Sequence, residues 1–452
     1  MFGSLISNFG GFSWTLIAFV VALSIIVAIH EYGHYIVGRW CGIKADVFSI
    51  GFGPTLFSRT DRHGTQWQVA ALPLGGYVKF RGDANAASVG EDGTVAQMSE
   101  AERAQTMTGA ALWKRAATVL AGPVANFILS IAIFAGVALV FGRAVDTPVV
   151  GELDPLPEDI VYLQAGDEVL SVNGKPVESL VDLSTVGADV VGAPAIEYEV
   201  RRGGRALTVE AAPPTLPRAA SVQPRSAAWN AGLREGDVIR AIDGTPIHSF
   251  AELQAAVKAS GGQVLELEVW RPGEGDLPTI ALKPRPTDIP LPDGGFEQRL
   301  LIGLGGALPF EPATESVGPL EAVGAGVDRT VNVLTQSISA LGHIVAGKIS
   351  TCNLSGPIGI AQMSGATASM GADSFILFIA ALSAAVGMLN LFPIPVLDGG
   401  HLVFHGYEAI RGRPPSDGAV RVLMGVGIAL MLALMLFATF SDAFCPGGLF
   451  NR

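Results

Sequence analysis

The sequence predicts a polytopic α-helical membrane protein with four transmembrane helices, a membrane-associated β-hairpin and two periplasmic β-rich domains. Three observations carry that fold class. Charged residues make up only 15% of the 452, and mean hydropathy is +0.44. Four separate apolar runs are long enough to cross a bilayer. Between the second and third runs lies a long, more polar stretch with an internal repeat of β-type patterning.

The runs are Phe12 to about Val37, Ala116 to Phe141, about Phe375 to Leu391, and about Val420 to Phe440. Each holds ~17 to 26 largely apolar residues, the length of a spanning helix. Glycine (56) and proline (28) are common, but so little charge with so much apolar content excludes disorder. A net charge of -12, with no Lys/Arg cluster that could neutralise a phosphate backbone, argues against nucleic acid as a partner. Cys41, Cys352 and Cys445 are far apart and form no CxxC pair, which points to neither a disulfide framework nor a thiolate metal site. The first run has no basic leader and no small-residue cleavage site, and continues into HEYGH, so it is read as a retained span.

Basic residues set the orientation. Arg39, Lys44, Arg59, Arg62, Lys79 and Arg81 follow the first run, Lys114 and Arg115 precede the second, and Arg411, Arg413 and Arg421 separate the third from the fourth. All three clusters share the cytoplasmic side if both termini, and the stretch from Arg143 to about Asp373, lie in the periplasm.

That stretch repeats itself. Gly166-Asp167 and Asn173-Gly174 recur 70 residues later as Gly236-Asp237 and Asp243-Gly244, each set bracketing a short apolar strand. Alternating segments such as IEYEV and VLELEVW follow, as half-buried strands require. The expected organisation is an N-terminal membrane part over 1–147, β-rich domains over 148–217 and 218–286, a linker over 287–372 and a C-terminal membrane part over 373–452. Within the linker, Val327 to Ile349 has helical apolar spacing and reads as an interfacial helix. Gln66 to Phe80 is apolar, too short to span and broken by Pro73 and Gly75-Gly76, and reads as a hairpin at the membrane; Asp83 to Gln105 reads as a loop.

The chemistry concentrates in two places. His30-Glu31-Tyr32-Gly33-His34 puts both histidines on one helix face with a glutamate beside them, the HExxH pattern of two zinc ligands and a general base. Three ionisable groups in an apolar span are costly without a function. A third protein ligand is expected, with one position left open. Asp398 is the best candidate, because Pro393 and Pro395 must interrupt the preceding helix and turn the carboxylate inward; His401, His405 and the remote His63 are rivals. Asn390 has two readings, a holder of substrate backbone or oxyanion, and a helix-to-helix hydrogen bond.

Taken in order, HEYGH, AGPVANF (Ala121 to Phe127), SGPIGI (Ser355 to Ile360) and NLFPIPVLDGG (Asn390 to Gly400) give the chain a resemblance, over essentially its whole length, to the site-2 proteases. The resemblance is to their bacterial PDZ-containing branch, which cuts anti-sigma factors in the inner membrane. It implies His30, His34 and Asp398 as ligands of one Zn2+, Glu31 as catalytic base, and Asn390, Pro393 and Pro395 as residues that seat substrate. It also implies that SIGFGP (Ser49 to Pro54) and the hairpin around Gly75 and Gly76 pair with an unwinding substrate. Asn126 matches a family position and is expected to steady helix packing. The repeats resemble circularly permuted PDZ domains, the second copy more closely through SAAWNAGLREGDVI, and a peptide or trimmed substrate terminus is their expected partner.

The implied function is a zinc metalloendopeptidase that cleaves in or near the transmembrane helix of a single-pass protein, such as an anti-sigma factor already trimmed by another protease. A non-catalytic PDZ scaffold and an ion-coupled transporter built on the broken third span are the competing classes.

Overall fold

A computed structural model describes residues 2–83, 98–224, 226–290, 296–349, 351 and 354–444. From the N-terminus, α1 (Phe2–Trp40) leads to strands β1 (Ala45–Thr60) and β2 (Gln66–Phe80), the single turn α2 (Glu100–Arg103) and α3 (Leu112–Phe141). The β-rich part carries α4 (Leu180–Ala188), α5 (Ala227–Asn230) and α6 (Phe250–Ala259). Then come α7 (Pro319–Val345), α8 (Pro357–Met370), α9 (Ala372–Asn390), α10 (Asp398–Arg411) and α11 (Asp417–Phe444). Two compact units result, one from 1–138, 318–342 and 354–440, the other from 139–317, 343–353 and 441–452. Most of the expected loop after Asp83, together with Cys352 and Cys445, lies outside the described residues.

Among the described residues, four helical segments are long and apolar enough to cross a membrane: Ser13–Trp40, Leu112–Phe141, Ala372–Asn390 and Gly418–Phe444. The chain is thus a polytopic membrane protein. Small residues let these helices approach closely, as van der Waals packing in lipid demands. A Cβ at Gly33 of α1 would overlap Ala121 O and Ala125 Cβ of α3. One at Gly365 of α8 would overlap Thr15 of α1. Ala22, Ile26 and Ile379 form the core shared by α1 and α9. The helix expected from Val327 starts earlier, at Pro319, whose fixed φ suits a first helical position. Its Ala322, Gly326 and Thr330 are buried; Gly326 lies against Ile131 O, and Thr330 Oγ1 is 3.0 Å from Ser130 Oγ of α3.

The 66–80 segment departs from expectation. It is not a self-contained hairpin, because its two halves flank β1. Ile50 lies opposite both Gly76 and Val69, and Phe48 opposite both Val78 and Trp67. The far half of β1 pairs outward, Thr60 with Gln66 and Phe57 with Val69. Four segments therefore lie side by side, in the order 55–60, 66–70, 45–50, 76–80. The physical reason is that an isolated two-stranded ribbon is marginal, whereas a third segment buries a face. Here Phe48 stacks on Trp67 with centroids 4.3 Å apart, in a core with Tyr35, Ile43, Val78 and Phe80. Asp61 at the turn ties sheet to helix by accepting from Trp67 Nε1 at 3.0 Å and Tyr35 Oη at 3.3 Å.

The second unit holds two β-rich modules built alike. In one, the order is Lys175–Pro176, Glu168–Val172, Ile196–Arg202, Arg205–Ala211; in the other, Thr245–Pro246, Val238–Ile242, Leu265–Arg271, Gly275–Asp276. The repeated turns match, with Asn173 and Asp243 both at positive φ (49° and 48°) ahead of glycine, the signature of a two-residue hairpin turn. The repeated Gly-Asp aspartates match too. Asp167 is bridged by Arg202 and Asp237 by Arg271, each aspartate fully buried. Both modules draw on chain beyond residue 286. Leu304–Gly305 pairs with Ser221–Val222, and Ile302 enters the second core. Phe310–Pro312 pairs with Val150–Leu153, and Phe310 enters the first. The second module is nested within the first.

Candidate metal centre

The histidines sit in the last turns of α1, where their four-residue spacing stacks both imidazoles on one face. Across from them is Gly122 of α3, where any Cβ would overlap His34 Nε2 and Cε1. Only glycine lets α3 close over the pair, which gives AGPVANF a physical reason. His34 Nδ1 lies 2.8 Å from Thr118 O, a group that can only accept, so Nδ1 carries the proton and Nε2 presents its lone pair inward. His30 Nδ1 lies 3.2 Å from Asn126 Nδ2.

Asp398 reaches the same point from the head of α10. After Asn390 the chain breaks, as the prolines require, and folds through 391–397 before Asp398 starts a new helix. This turn packs directly on α10: a Cβ at Gly399 would overlap Leu391 O and Phe392 O, and one at Gly400 would overlap Ile394 O. The LDGG glycines are therefore what lets the turn close and aim the carboxylate.

Three atoms converge. His30 Nε2 and His34 Nε2 are 3.1 Å apart, and Asp398 Oδ2 is 3.1 Å from the first and 3.4 Å from the second. Tetrahedral coordination with bonds of ~2.0 to 2.1 Å would separate neighbouring ligand atoms by about 3.3 Å. The triangle has that size, and two neutral imidazoles with one carboxylate suit zinc. These three residues form the only candidate cation cluster of His, Cys, Asp and Glu among the described residues.

A cavity of about 350 Å³ opens onto the triangle, and its wall includes Glu31, Gly76, Asn390, His401 and His405. Glu31 accepts a hydrogen bond from Val78 N–H, and a Cβ at Gly76 would lie 3.3 Å from Glu31 Cγ. The 76–80 edge of the sheet thus runs past the glutamate, and no strand among the described residues pairs with its outer side. Burial, and then the Arg115 charge, push the His405 imidazole down to about 4, so it is neutral at pH 7.

The other residues singled out from sequence fall elsewhere. His401 and His405 share the cavity but stand outside the triangle, and His63 instead accepts from Arg39 at 2.7 Å. Pro393 and Pro395 do not line the cavity; Pro395 packs against Gly427 of α11. Gly75 lies beneath the Phe52 ring. Thr118, Gly122 and Val78 were missed. Of these only Gly122 left a signal, as a glycine beside proline inside an apolar run.

The chain belongs to peptidase family M50, whose model matches residues 18–434. Among similar proteins, "Putative zinc metalloprotease Atu1380" of Agrobacterium fabrum is 38% identical over 432 residues, covering 94% of this chain and 95% of that one. "Regulator of sigma-E protease RseP" of Salmonella typhimurium is 33% identical over 459 aligned positions, covering 95% and 98%.

Proposed function

We propose that this protein is an intramembrane zinc metalloprotease of the site-2 type. Its substrate would be a single-pass membrane protein, cut in or beside its transmembrane helix. The carrying observation is the 3.1–3.4 Å triangle of His30, His34 and Asp398 with Glu31 in the same cavity. Similarity to a protein named for regulating sigma-E supports a sigma-factor regulator as the substrate class; an anti-sigma factor already trimmed by another protease would be such a substrate.

His30, His34 and Asp398 would hold the zinc ion. Bound there, zinc supplies Lewis acidity toward the scissile carbonyl and its attacking water. Glu31 takes the proton of that water and passes it to the leaving amine. A helical substrate hides its carbonyls in its own hydrogen bonds, so the segment to be cut must first unwind. The 76–80 edge has no strand on its outer side among the described residues. Its Val78 and Phe80 N–H groups donate to Glu31 and Asp83. Its remaining backbone groups, with Gly76 flat against Glu31, would offer replacement partners where cutting occurs. Asn390, which lines the cavity, would hold substrate backbone or the oxyanion.

The same reading places the protein in the inner membrane as a multi-pass chain. Both termini and the β-rich modules are periplasmic, and the site lies toward the cytoplasmic face. The modules act as PDZ-like domains that govern access, by admitting or retaining a trimmed substrate terminus.

The test is cleavage of a single-span substrate by purified protein in lipid vesicles. Wild type should cut it, and Glu31→Gln should keep about one zinc per chain yet lose nearly all cleavage. Undiminished cleavage by Glu31→Gln would sink the reading.

A further inference from the structure

We propose that Asn126 is a positioning residue that selects the tautomer of His30, and that metal binding at His30 requires the Asn126 amide to turn. The inference rests on the zinc reading of the site.

Asn126 is fully buried in the middle of a spanning helix, where an amide is costly unless it is satisfied. Its backbone is held from α9: Ser383 Oγ donates to Asn126 O at 2.9 Å, and a Cβ at Gly387 would lie 3.1 Å from Asn126 Cβ. The side chain is only half satisfied. Nδ2 faces His30 Nδ1 at 3.2 Å, while Oδ1 is buried without a hydrogen-bond partner among the described residues.

That arrangement has a chemical consequence. An amide nitrogen donates, so His30 Nδ1 must accept, and the single proton of the neutral imidazole then sits on Nε2. Nε2–H then faces the lone pair of His34 Nε2, 3.1 Å away, and is satisfied without a cation. It has no lone pair for a metal. Rotating the amide by 180° exchanges its two ends. Oδ1 then accepts from Nδ1–H, Nδ2 takes the place that Oδ1 held, and Nε2 turns its lone pair inward.

The two histidines are therefore not equivalent. His34 faces the Thr118 carbonyl, which can only accept, and is fixed in the liganding tautomer. His30 faces a side-chain amide, which can donate from one end or accept at the other, so its tautomer follows the amide.

Two measurements test this. Zinc affinity is read by chelator competition on the full chain, for wild type, Asn126→Asp and Asn126→Leu. An aspartate can only accept, so Asn126→Asp should bind zinc within a few-fold of wild type. Asn126→Leu should lose about 10- to 100-fold, the usual cost of removing an outer-shell partner. Histidine ¹⁵N spectra of the wild type give a readout independent of any variant. His30 should carry its proton on Nε2 in the metal-free protein and on Nδ1 once zinc is added. Wild-type affinity in a folded Asn126→Leu protein, or an Nδ1-protonated His30 in both states, would overturn the proposal and leave the zinc site standing. Failure of the wild type to bind zinc would bring down both.

Discussion

Arg115 Nη2 donates to Glu408 Oε1 at 2.6 Å, and this contact ties α3 to the helix that opens with Asp398. Both side chains are less than a fifth exposed, and Arg115 Nε has no acceptor of its own among the described residues. Glu408→Ala should therefore strand a buried guanidinium and cost about 3 kcal/mol. Replacing both residues by leucine should restore most of it. Thermal unfolding in detergent, followed for both variants, checks the direction; equal losses would show that the charge pair is not the cause.

Asp398→Ala leaves two imidazoles without the carboxylate that offsets a dication. Zinc content should fall well below one per chain, with activity following. Asp398→Asn keeps an acceptor oxygen but not the charge, so partial occupancy with little turnover is expected. Metal analysis of the purified variants decides it. Full occupancy in Asp398→Ala would move the search to His401 or His405, which line the same cavity.

Gly122→Ala tests the site without touching a ligand. The added methyl would occupy the space of His34 Nε2 itself, so one imidazole or α3 must shift. Zinc should be held at least ten times more weakly, by about 1.4 kcal/mol or more, while Gly136→Ala on the same helix, which meets nothing, should bind as wild type does.

Reporter fusions after Lys79 and Arg413 should read cytoplasmic, and one within residues 150–280 periplasmic. A cytoplasmic signal from the latter would reverse the orientation and overturn the gating role proposed for the modules.

In the first β-rich module, burial favours protonation of Asp167, but hydrogen bonds from Arg202 at 2.6 and 2.7 Å and from Gln164 N–H hold its carboxyl below the ordinary value. A folded value below the unfolded value of about 3.9 means stability that is complete above that pH and is lost as pH falls through the folded value. Protection of the Glu168–Val172 amides against exchange, taken relative to the free-chain rate at each pH, should fall below about pH 4 in wild type. In Asp167→Asn that protection should be lower throughout and less dependent on pH in that window.

Much of the site was legible because its signals are local. HEYGH needs only helical periodicity to bring two imidazoles together, and Pro393 and Pro395 announce the break that frees Asp398. The four spans follow from composition alone. What escaped depends on partners distant in sequence. Nothing near Gln66–Phe80 says that Phe48 will lie between its halves. Nothing in IGLG (Ile302 to Gly305) or PFEP (Pro309 to Pro312) says that these strands close modules begun at Ser221–Val222 and Val150–Leu153. Asn126 was visible as a polar residue in an apolar run, but only the depth of α3 against α1 puts it on an imidazole.

The nesting of one module in the other reverses two orders. A ribosome adding about 5–20 residues per second delivers the start of the first module well before any of the second. Yet Ile302 and Leu304 emerge ahead of Phe310, so the later-born module is the first that can finish. Until then Val150–Leu153 is a bare edge awaiting its strand, open to any extended chain nearby. Biogenesis of the outer module therefore waits on its guest. A defect that stalls the guest's own folding would surface as misassembly of the host.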